Sequence, residues 1–197
     1  MPVAPAGWFP SSTFANAFAI IVIVALLSDQ VVPLLRGGRG FSRRQASDRG
    51  SSIGIQAAGF VGCLLAVFLR YQAIGVVPPW IQVLAFPLLI VGTLFREWAV
   101  FLLGRFFSRS VRIEQGHLLI EAGPYRWIRH PAYTGMLIMD TAIVLGLGTW
   151  AGAVCMLVMV LSATLYRIRV EERALLETFG AEYQAYMKRT WLLVPGW

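Results

Sequence analysis

Five long apolar runs divide this chain, and they restrict its fold more than any other feature. They lie at about Phe14 to Leu35, Ile53 to Arg70, Trp80 to Leu103, Pro131 to Leu147 and Thr149 to Tyr166. A bilayer core takes about 20 apolar residues per helix, and helices satisfy every backbone group within such a run. The pattern predicts an all-α integral membrane protein with about five transmembrane helices. The composition agrees: 57% of the 197 residues are hydrophobic and only 14% charged, against about 25% charged in a soluble domain. The fourth run is short for a full span and is expected to tilt, thin the bilayer or pack against protein. Gly148 and its neighbours alone join it to the fifth, which forces a tight antiparallel hairpin. The first run is long and no basic residue precedes it, so it reads as a span rather than a cleavable signal.

The basic residues orient these spans. Arg36, Arg39, Arg43, Arg44 and Arg49 follow the first run. Arg105, Arg109, Arg112, Arg126 and Arg129 follow the third. Arg167, Arg169, Arg173, Lys188 and Arg189 follow the fifth, so fifteen of the seventeen Lys and Arg fall on one side. The positive-inside rule puts that side in the cytoplasm and the N-terminus outside. The net charge of +7 is thus a topology signal and not a nucleic-acid footprint. The Arg36 to Arg49 loop reads as an anchor for anionic lipids. Cys63 and Cys155 lie within apolar runs, with neither disulfide nor metal spacing, and read as packing residues. Polar residues inside the runs need partners. Asp29 can reach water or an Arg, Arg96-Glu97 can pair across helices, and Asp140 must face the bundle. Helix–helix glue is the plainest role for them.

Between the third and fourth runs lies Gly123-Pro124-Tyr125-Arg126-Trp127-Ile128-Arg129-His130-Pro131-Ala132-Tyr133-Thr134-Gly135. Gly123-Pro124 marks a turn. Pro131 suits the first position of a helix and disfavours helical backbone at His130, which is expected to be extended. His130 then sits at the lip of an apolar helix, where backbone N–H groups lack partners. An aromatic and Arg-anchored membrane belt would use the same residue types. After the fifth run the chain reads as a continuing helix, with Arg167, Glu171 and Leu175 four residues apart and Arg169 three before Glu172. Gly180 ends it. An amphipathic piece follows with Tyr183, Tyr186 and Met187 on one side, after which Trp191, Leu192, Leu193 and Trp197 are expected to press into the interface. The hairpin brings Arg167 and Glu171 level with His130. One pocket follows, walled by residues 115–133 and 167–176, at the depth of a lipid headgroup.

These motifs resemble the isoprenylcysteine carboxyl methyltransferase family and related phospholipid N-methyltransferases. The resemblance runs from about Ser110 to Tyr186. It rests on Gly116-His117-Leu118-Leu119-Ile120, Gly123-Pro124-Tyr125, Arg129-His130-Pro131-Ala132-Tyr133-Thr134-Gly135, and Arg167 with Glu171-Glu172, Leu175, Phe179-Gly180, Tyr183 and Tyr186. It implies an S-adenosylmethionine-dependent enzyme without a Rossmann domain, and no glycine-rich dinucleotide fingerprint is present. It divides the chain into N-terminal membrane helices with a cytoplasmic loop, residues 1–109, and a methyltransferase core, residues 110–197. By position it nominates His117, Leu118, Leu119, Ile120, Tyr125, His130, Pro131, Ala132, Tyr133 and Glu171 for the cofactor, with Ser110 a weaker contact. Arg167 would meet the substrate, Glu172 would complete the acidic pair beside it, and no metal is implied.

The chemistry suits these residue types. A sulfonium favours aromatic faces such as Tyr125 or Tyr133, and Glu171 can accept from cationic or hydroxyl groups. A carboxylate acceptor is already ionised at neutral pH. It needs a cation to hold it, and Arg167 offers a bidentate fork. Carboxyl O-methylation of a prenylcysteine-like or other lipidic carboxylate is therefore the leading expectation, in a prokaryotic plasma membrane, with no obligatory protein partner. A lipid amine such as phosphatidylethanolamine would instead need a group to take a proton, a task for His130 or Glu172. Small thiols and isoprenoid acids stand behind these. Sterol reductases have a similar C-terminal region but are longer. A scaffold or transporter would gather its polar residues at the midplane, whereas here most lie at the cytoplasmic edge.

Overall fold

A computed structural model describes residues 8–35, 50–107 and 119–197. Its elements are α1 (Ser12–Leu35), α2 (Ser51–Tyr71), α3 (Pro79–Leu103), α4 (Pro131–Gly146), α5 (Trp150–Phe179) and α6 (Ala181–Arg189), with 3-10 turns at Gly104–Phe106 and Gly123–Arg126. The helix-start and helix-stop chemistry is local. Pro79 and Pro131 occupy first turns, where their missing N–H costs nothing. Thr149 caps α5 by accepting from the Gly152 N–H. Gly180, at φ 52° and ψ −120°, turns the chain from α5 into α6.

Four of these helices, α1, α2, α3 and α5, are long and apolar enough to cross a membrane. The fifth expected span, α4, has 16 residues, or about 24 Å of helix, short of a hydrocarbon core of about 30 Å. It is also the helix most enclosed by protein, with nine of its residues buried. Large apolar side chains such as Ile20, Leu27, Phe60, Leu64, Trp80 and Leu94 stand exposed around the bundle. Surface of that extent is a lipid-facing girdle, and the chain is an integral membrane protein.

Small residues set the packing. α4 lies on α3 through Gly135 and Gly92. A Cβ at Gly135 would stand 2.7 Å from the Arg96 backbone N, and one at Gly92 2.8 Å from the Met139 N. α5 lies antiparallel on α2 through Gly152 against Ala66 and Met156 against Gly62. Such close approach suits membrane helices, which associate by packing and hydrogen bonds rather than by a hydrophobic drive. Phe18, Leu89, Met139 and Ala142 fill the core between α1, α3 and α4.

Asp29, Arg96 and Glu97 bond across helices. Arg96 of α3 donates from Nε to Asp29 of α1 and from Nη1 to the Ala132 carbonyl of α4, 3.0 Å away. Ser28 donates to Glu97 at 3.0 Å. Asp140 is half-buried on α4. The Arg36 to Arg49 loop lies outside the described residues.

Candidate active site

The site lies where the N-terminal end of α4 meets the charged extension of α5. Gly123, at φ 59°, opens the 3-10 turn that buries Pro124 and Tyr125. The chain then passes Arg129 and enters α4 at His130. Here one expectation needs correcting. His130 has φ −126° and ψ 55°, short of the extended range, because its carbonyl turns back to accept from the Tyr133 and Thr134 N–H groups at 3.1 and 3.2 Å.

A second correction concerns the helix lip. The His130 N–H is bonded to the Leu192 carbonyl at 3.2 Å, and the Arg129 N–H to the Trp191 carbonyl at 2.8 Å. Thr134 Oγ1 donates to the Leu193 carbonyl at 2.6 Å. The tail after α6 thus pairs alongside the motif. Leu193 is 1% exposed and packs inside the protein rather than entering the membrane interface, while Trp191 and Trp197 remain about half exposed.

Two polar groups face one another across this junction. In the first, Tyr133 Oη donates to Glu171 Oε2 at 2.8 Å and accepts from Arg167 Nε at 3.1 Å. Arg167 Nε stands 3.9 Å from the same carboxylate oxygen. Arg167 Nη1 reaches Ser51 Oγ at 2.9 Å and Ser52 Oγ at 2.8 Å, at the start of α2. The Arg167 side chain is 3% exposed and that of Glu171 32%, so the carboxylate is the open edge of this group.

In the second group, Glu172 Oε1 accepts from Arg129 Nε at 2.8 Å and Tyr183 Oη at 3.4 Å, with His130 Nε2 at 3.3 Å. Arg129 Nη1 also donates to the Met187 and Thr190 carbonyls, tying α6 to the motif. Burial alone would push the Glu172 carboxyl up, but the His130 and Arg129 bonds outweigh it and hold the group below its ordinary value. Burial, followed by the Glu172 and Glu171 charges, pushes the Tyr183 phenol up, so it stays a proton donor. The His130 ring stacks on Tyr133 with centroids 5.8 Å apart, which joins the two groups.

Of the residues nominated by sequence, Tyr125, His130, Pro131, Ala132, Tyr133, Arg167, Glu171 and Glu172 converge here. Leu119 and Ile120 are half-buried at the edge of the loop, Ile120 packing with Tyr125 and Ala132. Ser110, His117 and Leu118 lie outside the described residues. Glu172 turns to Arg129 across the site instead of to Arg169 along the helix. Arg129, Tyr183, Ser51 and Ser52 were not singled out for the site. Arg129 had a signal in adjoining His130, whereas the serines had none.

The fold and this junction define a class: an all-helical membrane protein with a buried Arg and two carboxylates gathered at one end of the bundle. Residues 83–177 match the isoprenylcysteine carboxyl methyltransferase (ICMT) family. Protein-S-isoprenylcysteine O-methyltransferase B of Arabidopsis thaliana is 32% identical over 118 residues, 59% of this chain and 60% of that protein. Protein-S-isoprenylcysteine O-methyltransferase of Saccharomyces cerevisiae is 27% identical over 202 residues, 96% of this chain and 83% of that one. A solved structure of the eukaryotic intramembrane Ras methyltransferase ICMT shares the fold, with a TM-score of 0.51 and 22% identity over 79% of this chain and 54% of that one. The match spans about 60% of the length of the first Arabidopsis relatives. Through this core the chain is similar to the isoprenylcysteine carboxyl methyltransferase family.

Proposed function

We propose that this protein is an S-adenosylmethionine-dependent membrane methyltransferase that esterifies a lipidic carboxylate, of prenylcysteine type, at the cytoplasmic face. The observation that carries the reading is the Arg167–Tyr133–Glu171 group, a guanidinium and a carboxylate sharing one phenol at the end of a membrane bundle. The relatives are named for this reaction. The clustering of basic residues on the same side as the site supports the cytoplasmic orientation.

The donor set fits the cofactor. Glu171 is the more exposed of the two carboxylates and can accept from ribose hydroxyls or an ammonium. Tyr133 and Tyr125 offer aromatic faces for a sulfonium, and Leu119 and Ile120 offer an apolar edge. When bound, the cofactor supplies a methyl group on a positively charged sulfur. Arg167 holds the acceptor carboxylate and neutralises its charge. No residue need remove a proton, because the acceptor is already ionised. Tyr133, tied to both Arg167 and Glu171, fixes the distance between acceptor and donor positions, which is the main requirement of an in-line displacement.

The test uses protein in lipid nanodiscs with methyl-labelled S-adenosylmethionine. A farnesylated cysteine analogue, phosphatidylethanolamine and a total lipid extract are offered separately. Label released by mild base marks a methyl ester and supports the proposal. Base-stable label in phosphatidylethanolamine would overturn it in favour of N-methylation.

A further inference from the structure

The N-terminal third reaches the site through Ser51 and Ser52, outside the residues matched by the family. Both are buried, at 1% and 6% exposure, and both hydroxyls accept from Nη1 of an Arg that is itself 3% exposed. This meeting is fixed by helix register. α2 and α5 run antiparallel with Ala66 on Gly152 and Gly62 on Met156. Eleven residues separate Ser51 from Gly62, and eleven separate Met156 from Arg167. At an equal rise per residue, the glycine contacts deep in the bundle set Arg167 level with the first turn of α2.

An Arg side chain has much rotamer freedom to lose when it is fixed. Here Tyr133 holds Nε and the two serines hold Nη1 before any acceptor arrives. The two serine hydroxyls thus help fix a guanidinium that the Glu171 carboxylate also approaches, at 3.9 Å. The first turn of a 21-residue helix adds a positive dipole end at the same point.

We propose that Ser51 and Ser52 are positioning residues for the acceptor. They orient the Arg167 guanidinium toward the acceptor, so the start of α2 helps select a carboxylate. This inference rests on the proposed function in taking Arg167 as the acceptor's cation.

The test measures direct binding of two probes, N-acetyl-S-farnesylcysteine and its carboxamide, to protein in nanodiscs, with S-adenosylmethionine binding measured in parallel. Wild type should prefer the carboxylate. The Ser51→Ala/Ser52→Ala double variant should lose roughly 10- to 100-fold of that preference, as expected for hydrogen bonds to a charged group, with S-adenosylmethionine binding unchanged. Ser51→Thr/Ser52→Thr, which keeps both hydroxyls, should retain most of it. Full preference in the alanine variant overturns the inference and leaves the proposed function standing. Equal loss of S-adenosylmethionine binding, or no rescue by threonine, reduces the serines to structural glue and also overturns it. No preference in wild type overturns both readings together.

Discussion

Gly135→Ala tests whether backbone contact between α3 and α4 sets the site. A Cβ at this position would lie 2.7 Å from the Arg96 N and 2.8 Å from its Cα. Ordinary contact needs 3.4 Å or more, so the helices must separate by about 1 Å, since backbone cannot rotate away as a side chain can. Overpacking of this kind costs about 1–3 kcal/mol. The same displacement stretches the Arg96–Ala132 hydrogen bond of 3.0 Å beyond useful length, adding about 1 kcal/mol. The expected destabilisation is about 2–4 kcal/mol, a fall in melting temperature of roughly 5–15 °C for a chain this long. Because α4 carries His130 and Tyr133, misplacement of about 1 Å should also cost on the order of 100-fold in turnover. Gly54→Ala is the matched control, since a Cβ there meets nothing within 4 Å. Thermal unfolding of both variants in one detergent, with turnover measured in nanodiscs, makes the comparison. If Gly135→Ala melts and turns over like Gly54→Ala, then backbone contact at α3–α4 does not fix the site.

Three further outcomes follow from the geometry. Arg167→Ala should cut turnover by roughly 100- to 1,000-fold while S-adenosylmethionine binding persists, whereas Glu171→Ala should weaken that binding by roughly 10- to 100-fold; calorimetry and single-turnover transfer separate the two. Arg96→Ala removes both its ion pair with Asp29 and its bond to the Ala132 carbonyl and should destabilise the bundle by about 1–3 kcal/mol, as read by thermal unfolding. Glu172 has a lowered folded pKa, so its stabilisation is complete above the ordinary carboxylate range and is lost as pH falls through the folded value. Stability should therefore hold from neutral pH down to that range and drop below it, and Glu172→Gln should remove that acid-dependent component in a pH series of melts.

Local grammar made much of this legible. Apolar run length gave the helices, Pro131 and Gly180 gave their ends, and the spacing of Arg167 and Glu171 put both on the charged end of α5. Register between helices was not legible. Ser51 meets Arg167 because Gly62, Ala66 and Gly152 let α2 and α5 approach closely, and no property of Ser51 itself announces this. Glu172 shows the other limit. Along the sequence its natural partner is Arg169, but its ion pair is with Arg129, 43 residues away. A helical pair is worth about 0.2–0.5 kcal/mol, and hydrogen bonds to charged groups in partly buried sites exceed that, so tertiary placement wins.

The tail changes what the start of α4 can do. A free helix N-terminus would favour an anion through its unsatisfied N–H groups. Here Pro131 has none, Tyr133 and Thr134 bond the His130 carbonyl, and His130 bonds Leu192. Most of the lip is therefore satisfied before any ligand approaches, and recognition falls to side chains. Those side chains are sorted by partner. Glu172 is tied to Arg129, His130 and Tyr183 and sits with its side chain 15% exposed, while Glu171 holds one phenol and is 32% exposed. Two adjacent carboxylates thus take different parts. Glu172 braces the motif against α6, and Glu171 keeps accepting capacity for a donor molecule. By this division, neutralising Glu172 should act mainly on the integrity of the site and neutralising Glu171 mainly on binding, although the residues are neighbours in the chain.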